Sequence, residues 1–509
     1  MGGFLRRCGR CLGALGVMAG GMPFAVQGAT HYDWVLSGAR VMDPATGFDA
    51  QANVGLTGNR IAAITDAPLE GRRTVAASGL VLAPGFIDTH YHGTLPIHYR
   101  LALRNGVTTA MDLEFGTLGD EVADWYAERA GTSLINFGTA SSHELARAAV
   151  LDGVRARDTS EAAATRRAPR WSRGTASESE ARAIRTLLED GLQAGALGIG
   201  TTLGYMPGVD GEALYAVQAL AAGYGRQLSV HLRRTPGTNT DEINGAQEIL
   251  ANAVALGAPA MINHFNNPGW RQVHTLLRSL QARGHNVWGE IYPYAAGSTS
   301  INAVFFEPEN WTGRLGRRYE ETIFDPESRR FLDQEAFLAL RQRDPTHIII
   351  SYKMPETEVV HWLGLPGTTL ASDGLPALQP FPLAMPLEAL PNAHPRAAGT
   401  YAKALRLARE HDLPLMPVLR QASTETAERF EAMGLKALAE RGRVQVGAIA
   451  DLVLFDPETV TDHATYENGS QPATGFAYVF VGGELVLEND RVRLEATPGA
   501  PIRFPASQP

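Results

Sequence analysis

Before residue 93 the chain reads Pro84-Gly85-Phe86-Ile87-Asp88-Thr89-His90-Tyr91-His92, an apolar run that ends in two histidines one residue apart. Side chains two residues apart on a β-strand point to the same side of a sheet. His90 and His92 can therefore bind one metal ion from the carboxyl end of a buried strand. Such pairs also occur as packed or surface histidines, so the pair alone suggests a hydrolytic metal centre without establishing it.

Three further strand-like segments end in residues that can bind a metal. His231 and His264 each follow a short apolar run, and the segment 368–374 ends another run at Asp373. Hydrophobic strands that alternate with helical segments and carry polar residues at their carboxyl ends are typical of a (β/α)8 barrel enzyme. The sequence therefore predicts an α/β fold, a TIM-like (β/α)8 metal-dependent hydrolase barrel.

The composition excludes several classes of protein. With 509 residues, of which 44% are hydrophobic and 19% charged, the chain can bury a large core and is unlike a disordered protein. Its formal net charge is −9, and no Lys/Arg-rich run offsets it in the mature region. This charge argues against a nucleic-acid partner, and an anionic small-molecule substrate would need a local basic pocket.

Residues 1–29 have the pattern of a bacterial-type signal peptide. Arg6, Arg7 and Arg10 form a charged start, and residues 12–26 form a short apolar segment. The segment is too short and too rich in glycine to span a bilayer. We therefore expect a periplasmic or secreted protein with no stable membrane span after cleavage, and a retained N-terminal anchor is the alternative.

Both cysteines, Cys8 and Cys11, lie inside this N-terminal segment. The mature protein would then contain no thiol, which excludes disulfides and cysteine metal ligands. Export to an oxidising periplasm is chemically compatible with that composition.

The segments that flank the barrel predict a second, smaller domain. Short alternating segments near both ends of the chain, separated by turn residues, are typical of hairpin-linked strands. We expect residues 30–85 and 436–509 to form one discontinuous β-sandwich domain and residues 86–435 to form the barrel. Residues 305–343 are more charged than an ordinary barrel loop, and we interpret them either as a lid over the mouth or as a solvated helical excursion.

Seven short motifs are spread over almost the whole mature chain. They are residues 83–92, Gly106-Val107-Thr108-Thr109, residues 195–199, Tyr292-Pro293-Tyr294, Ser372-Asp373-Gly374, His394-Pro395-Arg396 and residues 447–453. Together they resemble the amidohydrolase superfamily and, within it, the D-aminoacylase branch of N-acyl-D-amino-acid deacylases. The stretch 106–114, followed by Trp125-Tyr126-Ala127-Glu128, is similar to D-glutamate deacylases.

The resemblance implies a Zn²⁺ site built from six side chains: His90, His92, Glu114, His231, His264 and Asp373. The better-known D-aminoacylases have a cysteine near the position of Glu114, and a carboxylate oxygen is also a sound zinc ligand. Asp112, two residues earlier, is the competing ligand, and we favour Glu114. Glu114 with His231 and His264 would hold one tight ion, and His90, His92 and Asp373 a second, weaker one.

The reaction that the resemblance implies is zinc-dependent hydrolysis of the amide bond of N-acyl-D-amino acids. A metal-activated water would attack the amide, and Asp373 would act as general base and then as general acid. N-acyl-D-glutamate is the narrower substrate hypothesis. An amidohydrolase that acts on another amide, such as a dipeptide or a cyclic amide, is the alternative, and a metal-free binding protein is a remote one.

The substrate-binding residues also follow from the resemblance. Arg396 and Tyr292 match the residues that hold the substrate α-carboxylate, for which a planar bidentate donor is suited, and Ser298 is a further polar contact. Asn266 stands where the family has a lysine, so we count it among the substrate-binding residues, although this chain then lacks one positive charge of the expected clamp.

A second carboxylate on the substrate side chain would need a cation of its own. Arg233, Arg234 and Lys353 are candidates by placement only. The expected partner is a small-molecule N-acyl amino acid, and the sequence leaves open whether the protein forms a homo-oligomer.

Overall fold

The computed structural model describes residues 31–233, 244–376 and 379–506. The predicted signal peptide and both cysteines lie outside these residues. Within the described residues, no helix combines the length and the apolar character needed to cross a bilayer.

The described residues contain strands near both ends of the chain and along its middle. They are β1 (Tyr32–Asp43), β2 (Phe48–Thr57), β3 (Arg60–Thr65), β4 (Gly71–Ala76), β5 (Val81–Pro84), β6 (Phe86–Asp88), β7 (Val107–Thr117), β8 (Asn136–Ser142), β9 (Gly198–Thr201), β10 (Gln227–Val230), β11 (Ala260–Ile262), β12 (Val287–Ile291), β13 (Ala296–Ser300), β14 (Ile323–Asp325), β15 (Arg330–Phe331), β16 (Ile348–Tyr352), β17 (Thr368–Leu370), β18 (Leu452–Phe455), β19 (Phe476–Val481), β20 (Glu484–Glu488) and β21 (Arg491–Val492).

Most of the helices connect successive parallel strands along the chain. The α-helices are α1 (Pro96–Leu103), α2 (Val122–Arg129), α3 (His143–Asp152), α4 (Ala162–Arg167), α5 (Arg170–Arg173), α6 (Glu178–Gln193), α7 (Gly211–Gly223), α8 (Gly245–Leu256), α9 (Trp270–Gln281), α10 (Tyr319–Thr322), α11 (Gln334–Arg343), α12 (Arg396–Glu410), α13 (Leu415–Leu419), α14 (Glu425–Glu431) and α15 (Lys436–Ala439). Short 3₁₀ segments are Gly119–Glu121, Thr159–Glu161, Leu203–Tyr205, Val304–Phe306, Glu356–Trp362 and Leu387–Ala389, and π segments are Glu309–Arg314 and Arg420–Thr424.

Eight parallel strands form the barrel, in the order β17-β12-β11-β10-β9-β8-β7-β6. Its two end strands meet just beyond their carboxyl ends, where the His92 amide donates to Gly374 O at 2.9 Å and the Gly374 amide donates to His90 O at 3.2 Å. These bonds join the first and last strands next to the predicted metal ligands.

The two ends of the chain form a second sheet. Its strand order is β21-β20-β19-β18-β5-β1-β2-β3, with β4 paired to β1. Strands β5 and β18 pair antiparallel, so the N-terminal and C-terminal parts share one apolar core. The predicted fold class, a (β/α)8 barrel with a discontinuous β-domain from both flanks, is confirmed.

The last described residues do not join this sheet. Ile502 donates its amide to Phe137 O at 2.7 Å, and Phe504 donates to Gly195 O at 3.1 Å. Both side chains pack into a cluster that includes Met111 of β7 and Trp288 of β12. This stretch therefore belongs to the packing of the barrel, although we assigned it to the β-domain from the sequence.

Between β12 and β17 in the sequence, the chain forms a third sheet. It has four antiparallel strands in the order β13-β16-β14-β15. The excursion that contains it starts at Ala296 and returns at Tyr352, which is wider than the segment 305–343. Its role as a lid remains a prediction.

Candidate active site

Side chains that could bind a metal meet at the carboxyl ends of the barrel strands, because those ends of parallel strands share one edge. His90 and His92 follow β6, Glu114 lies in β7, His231 follows β10, His264 follows β11 and Asp373 follows β17. All are buried except His231, which is partly exposed.

These side chains form two groups. His90, His92 and Asp373 form one, and Glu114, His231 and His264 form the other, and in each group the potential ligand atoms lie within 4.8 Å of one another. The grouping is the one that the family resemblance implied for two ions.

Glu114 stands between the two groups. Its Oε1 lies 3.0 Å from both His231 Nδ1 and His264 Nε2. Its Oε2 lies 3.2 Å from His90 Nε2 and 3.7 Å from His92 Nε2. One carboxylate thus presents an oxygen to each pair of histidines, as a bridging ligand does.

Asp112, the competing ligand, has a different position. Its Oδ2 lies 3.1 Å from His92 Nδ1 and accepts a bond from Thr159 at 2.9 Å, while Oδ1 accepts the amides of Phe115 and Gly116. Asp112 therefore fixes the ring of His92 from behind, a contact that typically orients a metal-binding histidine.

The contacts within the two groups fit a metal ion. His90 Nε2 lies 3.0 Å from His92 Nε2, and His231 Nδ1 lies 2.9 Å from His264 Nε2. Imidazole nitrogens that face each other so closely, beside carboxylate oxygens, are satisfied together by a shared cation. Histidine nitrogen with carboxylate oxygen is also a zinc donor set.

Backbone strain marks two of these positions. His264 has φ 29° and Asp373 has φ 51°, in the left-handed region that side chains other than glycine seldom adopt. Each such residue costs about 1–3 kcal/mol and persists only where surrounding contacts hold it. Both of these residues with this backbone conformation belong to the two candidate metal groups.

Burial and neighbouring charges set the ionisation of the site. Burial lowers the pKa of His231 to about 4, so its ring is neutral and can act as a ligand at neutral pH. Burial opposes ionisation of Glu114, but His90 and His231 hold its pKa well below the usual range. Burial likewise opposes ionisation of Asp373, and Arg396 and His90 lower its pKa, so Asp373 is a carboxylate.

His90 is oriented by groups that were not predicted from the sequence. Nδ1 of His90 contacts Glu290 Oε1, Thr89 donates to the other oxygen of Glu290 at 2.7 Å, and the Asn263 amide lies 3.3 Å from the same Nδ1. A carboxylate in the otherwise apolar strand β12 (Val-Trp-Gly-Glu-Ile) was the available signal.

A cavity of about 660 Å³ opens beside the metal groups. Arg396 lines it, pairs with Asp373 at 2.7 Å and donates to Ser298 O at 3.1 Å. The guanidinium carbon lies 5.0 Å from the ring centre of Tyr292, which also lines the cavity. The structure therefore brings Arg396, Tyr292 and Ser298 together next to Asp373.

Asn266 is placed differently from the expectation. Its side chain is fully buried and donates to Tyr292 O at 3.1 Å and to Tyr294 O at 3.4 Å. It lies behind the cavity wall, so the structure does not bring it to the substrate side. Its amide instead supports the main chain that carries Tyr292.

The three candidate cations also differ. Arg233 lines the cavity but pairs with Glu248, with Nε to Oε2 at 3.0 Å. Arg234 lies outside the described residues. Lys353 lines the cavity, with Nζ 5.1 Å from the ring centre of Tyr292.

Several known proteins resemble this chain over most of its length. No protein-family model matches the chain. A D-aminoacylase of Alcaligenes xylosoxydans xylosoxydans is 30% identical over 491 residues, covering 90% of this chain and 95% of the relative. From the same organism, an N-acyl-D-aspartate deacylase is 30% identical (91% and 93% covered) and an N-acyl-D-glutamate deacylase is 29% identical (89% and 93% covered).

Solved structures agree with these relatives. A crystal structure of D-aminoacylase superposes with a TM-score of 0.74 at 26% identity, covering 93% of this chain and 99% of that chain. An N-acyl-D-glutamate deacylase from Bordetella bronchiseptica, complexed with zinc and a phosphonate mimic of the tetrahedral intermediate, superposes with a TM-score of 0.73 at 24% identity, covering 93% and 100%. At 24% identity, the likeness to this second structure supports the fold alone.

Proposed function

This chain belongs to the D-aminoacylase family of metal-dependent amidohydrolases, and on that premise we propose that its metal centre hydrolyses N-acyl-D-amino acids to a carboxylate and the free D-amino acid. The observation that carries the proposal is the position of Arg396. It places a cationic donor beside Asp373 and the histidine groups, where a substrate with both an amide and a free α-carboxylate would span the two.

Asp373 is suited to move the proton that amide hydrolysis requires. When bound, zinc would supply a Lewis acid for the carbonyl and lower the pKa of water. Asp373 is ionised, with Oδ1 3.4 Å from His90 Nε2 and Oδ2 paired with Arg396. It can accept a proton from the attacking water and return it to the nitrogen as the carbon–nitrogen bond breaks.

Arg396 and Tyr292 would hold the α-carboxylate of the substrate. Arg396 keeps its Nε without a hydrogen-bond partner among the described residues although that atom is buried. A buried donor of this kind is costly to leave unpaired, and a substrate carboxylate would satisfy it. The Tyr292 hydroxyl is the neighbouring donor, with Ser298 as the further contact.

We propose one tight ion held by Glu114, His231 and His264, and a second, weaker one held by His90, His92 and Asp373. Glu114 supports this count because it faces both groups with different oxygens. Metal analysis of the protein after dialysis against a weak chelator tests it, with retention of about one zinc per chain expected. Loss of all metal together would contradict two sites of unequal affinity.

The side-chain preference is a narrower part of the proposal, with N-acyl-D-glutamate as the preferred substrate. It draws support from the sequence resemblance at residues 106–114 and from the cations on the cavity wall. Initial rates of the zinc-loaded protein on N-acetyl-D-glutamate, N-acetyl-L-glutamate and N-acetyl-D-leucine test it. We expect the highest activity on N-acetyl-D-glutamate. Activity on N-acetyl-D-leucine alone would contradict that preference. Absence of activity on all three substrates would indicate that the enzyme hydrolyses another amide.

We also propose that the protein is exported to the periplasm or secreted. The charged and apolar pattern of residues 1–29 supports this. N-terminal sequencing of the protein recovered from the periplasmic fraction of a bacterial host tests it, with a start near residue 30 expected. Recovery of the intact N-terminus in the cytosol would contradict it.

A further inference from the structure

Lys353 places a charged amine on the wall of the cavity, immediately after β16 of the excursion. Its side chain makes no hydrogen bond or ion pair within the described part of the chain, and its nearest aromatic contact is the ring of Tyr292 at 5.1 Å. Lys353 is partly buried, and an ammonium that has lost part of its hydration without gaining an anion is unfavourable. A ligand that brings an anion to this point would therefore be favoured.

Three of the arginines on the cavity wall are already paired with carboxylates. Arg396 is paired with Asp373, Arg233 with Glu248 and Arg166 with Glu144. The Arg396 guanidinium can therefore donate hydrogen bonds to a substrate, but Asp373 already balances the charge of Arg396. Lys353 supplies positive charge at the same wall that no carboxylate of the described residues balances by direct contact.

Lys353 converges with the Tyr292 hydroxyl beside Gly297. A Cβ built on Gly297 would lie 3.1 Å from Tyr292 Oη and 3.5 Å from Lys353 Nζ. The absence of a side chain at Gly297 thus leaves space beside both donors. Arg396 contacts the next residue, Ser298, through its main-chain oxygen, so the guanidinium borders the same small region.

We propose that Lys353 is the second cation of the α-carboxylate site and acts there with Arg396 and Tyr292. The inference rests on the proposed deacylase function and refines its substrate-binding site. It also accounts for Asn266, which stands where a lysine was expected from the family resemblance and is turned away from the cavity. In this chain the second positive charge comes from the excursion instead of the strand-end loop after β11.

The ionisation of Lys353 agrees with this geometry. Burial lowers the pKa of its ammonium to about 7, with Asp373 and Glu114 opposing the shift and Arg396 and Arg317 adding to it. A bound carboxylate would favour the charged form and reverse part of that shift.

The test compares Lys353→Met with wild type on two substrates, N-acetyl-D-leucine and N-acetyl-D-glutamate, both with the zinc-loaded full chain. Loss of one charged contact to the α-carboxylate should raise KM by about ten- to hundredfold on both substrates and leave kcat nearly unchanged. Lys353→Arg should recover part of the affinity because it keeps the charge.

Lys403→Met is the matched control. Lys403 Nζ also lies over a tyrosine, 4.0 Å from the ring centre of Tyr294, but this lysine is outside the cavity lining. Its KM values should equal those of wild type. Zinc content and melting temperature of all variants show whether a change in KM comes from lost structure.

The outcomes separate the alternatives. A rise in KM confined to N-acetyl-D-glutamate would overturn the assignment, because it would mean that Lys353 binds the side-chain carboxylate of the substrate. An unchanged KM, or a fall in kcat with loss of zinc, would also overturn it. If wild type hydrolyses neither substrate the proposed function itself fails, whereas an active wild type with an unaffected Lys353→Met removes only the role of Lys353.

Discussion

Oδ2 of Asp373 lies 2.7 Å from Nη1 of Arg396, and both side chains are buried. The pair joins two proposed functions, because Asp373 is the expected proton carrier and Arg396 is expected to bind the α-carboxylate of the substrate. A change at either residue should therefore affect both turnover and binding. Removing only one partner of a buried charge pair strongly destabilises the protein, because the other charge stays buried without compensation.

Replacing Arg396 by Met should lower kcat/KM by about a thousandfold or more, through a higher KM and a lower kcat. The substitution removes a charged donor to the substrate and leaves Asp373 without its partner. Steady-state kinetics on N-acetyl-D-leucine measure both constants. Arg396→Lys is the companion variant, and it should retain zinc while losing the bond to Ser298 O. A change in KM alone would show that the pair does not couple the two functions.

Asp373→Asn should lower kcat by about 10²–10⁴-fold, the range for loss of a general acid–base group. The amide keeps the shape of the carboxylate but cannot accept the proton. The other metal group does not include Asp373, so this variant should keep about one zinc per chain in the proposed arrangement. Zinc analysis beside the kinetics separates loss of proton transfer from loss of metal, and wild-type kcat in this variant would remove Asp373 from the reaction.

Glu114→Gln and Asp112→Asn form a matched pair that tests which carboxylate binds the metal. Glu114 contacts all four histidines of the two groups, so its loss should abolish stable zinc binding. Of the predicted metal-binding side chains, Asp112 forms a hydrogen bond only with His92, at Nδ1, so its loss should weaken metal binding by about 10- to 100-fold at most. Zinc titration with a competing chelator measures both, and a larger effect at Asp112 would reverse the assignment.

The barrel and the positions of its predicted metal ligands could be predicted from the sequence because both depend on local sequence patterns. Each histidine or Asp373 stands directly after a short apolar run, and parallel strands bring such positions to one edge. The choice of Glu114 over Asp112 was less direct. Both lie in β7, whose pairing with β8 is irregular after Asp112, so simple alternation along the strand could not separate their roles.

The rest of the site depends on contacts between distant parts of the chain. Glu290 reaches His90 from β12, and Lys353 reaches Tyr292 from the far side of the excursion. No local periodicity specifies such contacts. Asn266 was misplaced for the same reason, because its orientation depends on the main chain near Tyr292 and Tyr294.

A buried pair within the excursion predicts how stability varies with pH. Nε2 of His347 lies 2.8 Å from Asp325 Oδ1. This hydrogen bond raises the pKa of His347. Burial opposes ionisation of Asp325, but the hydrogen bonds from His347, Ser328 and the Glu327 amide together lower its pKa to about 2. The charged histidine therefore stabilises the fold fully below about pH 6.5, its unfolded value, and this contribution is lost as pH rises through the higher folded pKa.

Melting temperatures of wild type and His347→Gln measured from pH 6 to pH 9 test this dependence. Wild type should be more stable by about 1–2 °C at pH 6, and the difference should shrink as pH rises because the neutral imidazole no longer forms an ion pair. Asp325→Asn should show the same loss of pH dependence, since it removes the other partner. A difference that stays constant across this range would mean that His347 contributes through packing and its neutral hydrogen bond, with no ion pair to Asp325.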